Sequence, residues 1–73
     1  MNMSVITISP DILSGMPVFR DTRVPIKTLF DYLETGETIE DFCDDFPSVT
    51  RSQVMEVLQF AEHLVLESNG VYA

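Results

Sequence analysis

The sequence predicts a mainly α single domain, a short N-terminal β-strand and β-hairpin followed by three helices. Three observations carry this. β-branched and turn-forming residues cluster before Pro25, apolar residues recur at helical spacing after it, and the helical region is interrupted at Gly36 and at Phe46-Pro47. A chain of 73 residues makes one domain, over 1–73, and domains this small bury only about 60% of the surface their unfolded chains expose. A hydrophobic fraction of 45% excludes wholesale disorder. It is also more than so small a monomer readily hides, so a homodimer is expected.

The β-element spans residues 4–25. Val5-Ile6-Thr7-Ile8 is β-branched throughout and closes at Ser9-Pro10-Asp11, a turn signal. Ile12-Leu13 fits a single turn before Ser14-Gly15. Val18-Phe19 and Arg23-Val24 flank Arg20-Asp21-Thr22 as a small hairpin or a pair of extended pieces, and Pro17 and Pro25 confine them to an edge. The first helix, about 25–35, takes Pro25 at its first position and carries Ile26, Leu29, Phe30 and Leu33 on one face, with Gly36 as the C-terminal cap. The second, about 38–46, opens on Thr38 with Asp41 three residues on. It repeats the spacing with Ile39, Phe42, Cys43 and Phe46, and stops at Pro47. The third, about 50–68, opens on the capping box Thr50-Arg51-Ser52-Gln53, with Val49 and Val54 as a hydrophobic staple. Val54, Val57, Leu58, Ala61, Leu64 and Val65 form its apolar stripe. Phe60 flanks that stripe on one side, Met55 and Leu66 on the other.

Charge is distributed unevenly. Residues 1–27 hold three cations against two acids, +1, whereas residues 28–73 hold Arg51 against ten acids, −9. A net charge of −8 opposes non-specific binding to nucleic acid or a membrane surface and favours a basic protein partner. No apolar run approaches the roughly 20 residues of a membrane span, and none fits a signal peptide. The lone Cys43 fits a reducing compartment, so a cytoplasmic location is expected.

The spacing of the second and third helices matches helix-turn-helix geometry, in which the first turn of the second member reads base edges. That turn offers Thr50, Arg51, Ser52 and Gln53, and Arg and Gln suit guanine and adenine. A plain three-helix bundle fits the same pattern, and Asp44 and Asp45 beside the turn repel phosphate. Arg20 and Arg23 fit phosphates or an acidic partner, or a local salt bridge with Asp21. His63 has no second ligand at i+4, Cys43 shares a face with Ile39 and Phe46, and no phosphate loop or nucleophile–base pair is present. The expectation is a non-enzymatic chain without metal or cofactor. Ile6, Ile8, Phe19, Phe60, Leu64 and Leu66 exceed what three short helices and a hairpin cover, and two-stranded β-elements rarely stand alone. Ile6, Ile8, Phe60, Leu64 and Leu66 are therefore assigned to a dimer or partner interface.

The run Ile8-x-Pro10-x-Ile12-Leu13-x-Gly15-x-Pro17-Val18-x-x-x-Thr22-Arg23-Val24-Pro25, the helix ending at Gly36, and Thr38-Ile39-Glu40-Asp41-x-x-x-Asp45-Phe46-Pro47-x-Val49-Thr50 resemble the DUF433 family of small bacterial proteins. The resemblance covers Val5 to Glu67. It implies a homeodomain-like helix-turn-helix domain. Some members are encoded beside PIN-type ribonuclease toxins and act as VapB-like antitoxins. The resemblance therefore implies an antitoxin that masks a basic nuclease and, in complex, binds operator DNA. The alternative is a stand-alone helix-turn-helix regulator. Two departures from the family pattern stand out. Asp21 replaces the family's usual Gly, a residue that still tolerates the left-handed conformation but weakens a phosphate role for the arginine tip. Many antitoxins also neutralise through a long tail, whereas this sequence closes on Val71-Tyr72-Ala73. Toxin contact is thus expected on the folded body, or through Val71 and Tyr72 as a short anchor.

Overall fold

A computed structural model of the chain describes residues 5–68, so the anchor expected at Tyr72 lies outside the described residues. Strand β1 (Ile6–Thr7) pairs antiparallel with β2 (Val18–Phe19), placing Ile6 opposite Phe19 and Thr7 opposite Val18. Helices α1 (Ile26–Glu34), α2 (Ile39–Asp45) and α3 (Arg51–Ser68) follow. α1 packs on α2 and α2 on α3. The fold class read from the sequence is therefore the observed one: a two-stranded antiparallel sheet followed by three helices.

The sheet extends the expected hairpin. The N-terminal strand is the ladder partner of Val18-Phe19, and the contact with the 23–25 segment is present alongside it as a single bridge. The 23–25 segment contributes only the Phe19 N–H to Val24 O bond, at 3.0 Å, and an isolated bridge between Val18 and Pro25. Thr22 blocks a regular second arm. Its Oγ1 accepts the Val24 N–H at 3.0 Å and donates to Phe19 O at 2.8 Å. The turn itself follows the expectation for Asp21, which takes φ 62° while the Thr22 N–H closes onto Phe19 O. Pro25 is corrected. It is the N-cap of α1, not its first residue, because its bridge to Val18 keeps it extended at ψ 142°. Between the strands, Leu13–Gly15 forms a 3₁₀ turn. There Leu13, Ser14 and Gly15 all adopt positive φ, an uncommon state for two non-glycine residues in succession.

Each helix end is set by the residue chemistry expected of it. At α1, the Glu37 N–H donates to Tyr32 O at 2.9 Å and the Gly36 N–H to Leu33 O at 3.2 Å. This is the paired bonding of a Schellman cap, which needs the φ of 89° that Gly36 supplies. At α2, the Asp41 N–H donates to Thr38 Oγ1 at 3.0 Å and the Thr38 N–H donates back to Asp41 Oδ2 at 3.1 Å. At α3, the Gln53 N–H donates to Thr50 Oγ1 at 3.1 Å and the Thr50 N–H to Gln53 Oε1 at 2.9 Å. Val49 and Val54, the staple pair, are both buried.

Phe42 is the hub of the core. Its fully buried ring lies 5.8 Å from Phe19 of β2, 5.4 Å edge-on from Tyr32 of α1 and 5.1 Å from Phe46 at the end of α2. Val5, Leu29, Val49, Val54 and Val57 complete the cluster. Phe19 is therefore a core residue, which corrects its place among the uncovered apolar side chains. β-pairing with Ile6 turns it inward against Phe42. The Tyr32 hydroxyl adds a second tie, donating to Asp45 Oδ2 at 2.6 Å, and that bond holds the phenol above its ordinary pKa.

Phe42→Ala removes contacts from three elements at once and is expected to cost about 3–5 kcal/mol. Its melting midpoint should fall by at least about 12 °C, given roughly 4–8 °C per kcal/mol at this size. A fall of under about 5 °C would dismiss Phe42 as the hub. The Thr38 bonds hold the Asp41 carboxyl below the usual carboxylate range, so the charged form stabilises the fold. That contribution is complete above an ordinary carboxylate pKa of about 3.9 and is lost as pH falls through the lowered value. Asp41→Asn should therefore melt below wild type at neutral pH, with the gap closing under strong acid. A gap independent of pH would assign the effect to shape, not charge.

Candidate functional site

An exposed apolar surface follows from unequal helix lengths. α1 has 9 residues, α2 has 7 and α3 has 18, so at 1.5 Å per residue they run about 14, 10 and 27 Å. α3 outruns its neighbours. Val54 and Val57 are buried and Leu58 and Ala61 half-buried, but Leu64 and Val65 are 48% and 57% exposed. The expected stripe thus leaves the body after Ala61.

A groove of about 570 Å³ opens between α1 and α3. Val57, Phe60, Ala61 and Leu64 form one wall, at i, i+3, i+4 and i+7, and Ile26 and Phe30 form the other. Ile6, Ile8, Met16 and Pro17 complete the apolar lining, the last two directly following the positive-φ turn at Leu13–Gly15. The polar lining is confined to α1: Lys27, Asp31 and Glu34. Lys27 Nζ donates to Asp31 Oδ1 at 2.7 Å, which holds the ammonium above its ordinary pKa. Lys27 and Asp31 thus offset each other, and Glu34 leaves the lining negative. Among the described residues, no three His, Cys, Asp or Glu side chains are grouped to hold a metal ion. No described helix is long and apolar enough to cross a membrane.

The interface residues expected from sequence are largely brought together here. Ile6, Ile8, Phe60 and Leu64 line the groove, while Leu66, half-buried, is not part of its lining. Sequence reasoning missed Ile26 and Phe30, which it placed on one core-facing stripe with Leu29 and Leu33. Both are half-buried and pack against the core cluster as well as lining the groove.

The residues assigned to DNA are placed differently. α2, the Phe46–Thr50 turn and α3 have helix-turn-helix order, with the turn closed by the Val49 N–H to Phe46 O bond at 2.9 Å. Within the first turn of α3, Thr50 and Gln53 are engaged in the capping box and Ser52 is exposed. Arg51 forms an ion pair with Glu40 of α2. Arg20 and Arg23 lie exposed on the Phe19–Val24 turn, a separate element. His63 pairs with Glu67 along α3, Nε2 to Oε2 at 3.2 Å.

By fold this is a small domain in which two short antiparallel strands precede three helices, with an apolar groove between α1 and α3. The profile of a family described as a protein of unknown function, DUF433, matches residues 6–61, and the chain belongs to that family. A DUF433 member from Anabaena variabilis, solved by crystallography, has the same fold with a TM-score of 0.72. It is 24% identical, over 84% of this chain and 60% of that one. The uncharacterized protein y4eO of Sinorhizobium fredii is 34% identical over 58 residues, 80% of this chain and 26% of that protein. The 4-hydroxybutyryl-CoA dehydratase/vinylacetyl-CoA-Delta-isomerase of Clostridium aminobutyricum is 31% identical over 71 residues, 92% of this chain and 14% of that enzyme. The chain thus spans about a quarter of one curated relative and about a seventh of the other.

The Arg51–Glu40 pair is exposed on both sides, and such pairs contribute only about 0–1 kcal/mol. Arg51→Ala should therefore leave the melting midpoint within about 8 °C of wild type. A larger drop would make Arg51 a structural clamp between α2 and α3.

Proposed function

We propose that the protein is a non-enzymatic interaction module, an antitoxin that masks a basic PIN-type ribonuclease and binds operator DNA as part of that complex. The observation that carries this reading is the open apolar groove on a body of net charge −8, the sum of +1 through Lys27 and −9 after it. Groove and charge together suit a cationic protein surface: burial supplies affinity, and complementary charge supplies encounter rate and selectivity. In both curated relatives the matching segment is a minor part of a longer chain, as fits a domain that recruits.

The same electrostatics argue against the free chain as a DNA reader. Of the first-turn residues of α3, Arg51 is paired with Glu40, while Asp44 and Asp45 stand exposed just before the turn. Cations contributed by a bound partner would offset that field. The helix-turn-helix order of α2 and α3 favours DNA binding in the complex.

Two experiments test the proposal. Co-expression with an adjacent PIN-like open reading frame should abolish the growth arrest that the frame causes alone. Absence of rescue overturns the antitoxin reading. In a mobility-shift titration against the upstream region, the complex should retard DNA that the free chain does not. A shift by the free chain would favour the stand-alone regulator instead. For a dimer offering four cations per protomer, at most eight phosphate contacts set a log–log salt slope no steeper than about −7.

A further inference from the structure

We infer that the α1/α3 groove is a receptor for a basic amphipathic helix of the partner, an inference that rests on reading the chain as an interaction module. The groove's dimensions select a helix. Its α3 wall runs from Val57 to Leu64 and its α1 wall from Ile26 to Glu34, or about 10 and 12 Å at helical rise. This is two turns, the span over which anchors at i, i+3, i+4 and i+7 of a guest helix fall on one face. The lining is apolar except for one edge of α1. A small polar ligand would need converging donors and acceptors, and a groove with polar groups on one edge alone does not supply them.

Charge selects the guest's polar face. The groove edge carries Lys27, Asp31 and Glu34, and since Lys27 and Asp31 offset each other, Glu34 leaves the edge negative on a body of net charge −8, which favours a cationic occupant. A guest lysine or arginine can take the place of Lys27 at Asp31 or pair with Glu34 directly. A second copy of this chain brings the opposite chemistry. Its own apolar helix, α3, carries Glu56, Glu62 and Glu67 and comes with a further net charge of −8. Like charges juxtaposed in this way oppose association. The occupant is therefore cationic and helical, and self-pairing is the competing outcome.

The test uses the full chain and two stapled helical peptides of about 16 residues, long enough to hold helix in isolation. Both carry leucine at i, i+3, i+4 and i+7. One has lysine and arginine elsewhere, the other glutamate. By fluorescence anisotropy the basic peptide should bind at least about tenfold more tightly than the acidic one. Amide shifts should concentrate at residues 26–34 and 57–64. Leu64→Asp, at an exposed position, should abolish binding while leaving the circular dichroism spectrum unchanged. Asp31→Asn with Glu34→Lys should erase the preference for the basic peptide. Equal affinity for both peptides overturns the inference. So does failure of either to bind, or a dimer by sedimentation that Leu64→Asp dissociates. The outcomes also separate this inference from the antitoxin reading. If wild type and Leu64→Asp neutralise the toxin equally, the groove inference fails and the antitoxin reading stands. If the basic peptide binds but no rescue occurs, the antitoxin reading fails and the groove stands.

Discussion

The ring of Phe42 is the contact on which the rest of the molecule depends. Strands two residues long cannot hold themselves together, and helices of nine and seven residues are below the length at which a helix is stable alone. Each element persists because it packs against something else, and Phe42 is where three of them meet: Phe19 from β2, Tyr32 from α1 and Phe46 at the end of α2. α3 joins through Val54 and Val57, fixed in register by the staple at Val49. Aromatic rings suit such a hub, since each removes a large apolar area from water and tilted or edge-on contacts add to it.

A core this small cannot cover every apolar side chain, and the architecture concentrates the excess in one place. α2 is the short middle helix against which both α1 and α3 pack. The groove lies between residues of α1 and α3. The strained turn at Leu13–Gly15 belongs to the same arrangement, because it leads directly into Met16 and Pro17 of the groove lining. The positive φ values of Leu13 and Ser14 cost energy wherever they occur. Here the turn shapes a surface without adding to the core, since Leu13 and Met16 both remain exposed.

The contrast between what the sequence revealed and what it concealed has a physical origin. Helix ends were legible because capping is local. Thr38 with Asp41, Thr50 with Gln53, and Gly36 each satisfy backbone groups three to five residues away, and side-chain chemistry alone decides whether they can. The left-handed turn at Asp21 was legible for the same reason. The partner of β2 was not. Pairing with Ile6–Thr7 joins segments separated by residues 8–17, and nothing in Val18-Phe19 specifies that distant strand in addition to the nearby 23–25 segment. The nearby contact is local, closed by the Thr22 hydroxyl on Phe19 O and Val24 N. The groove was half legible. Phe60 and Leu64 stood out as surplus on α3, but Ile26 and Phe30 both pack on the core and line the groove, and helical spacing alone shows only the first.

On the proposed reading, the acidic surface also sets the order of events. The start of α3 faces DNA only if something offsets the carboxylates around it, because Arg51 is held by Glu40 and the turn is preceded by Asp44 and Asp45. A cationic partner seated on this body supplies that offset, so its binding raises the affinity for phosphate. Linkage then requires the reverse as well: bound DNA raises the affinity for the partner by the same factor. A chain of charge −8 is thus suited to hold its partner most tightly when both are on nucleic acid and less tightly when both are free. On that reading, the excess of carboxylates that opposes DNA binding by the free chain is also what couples the two binding events.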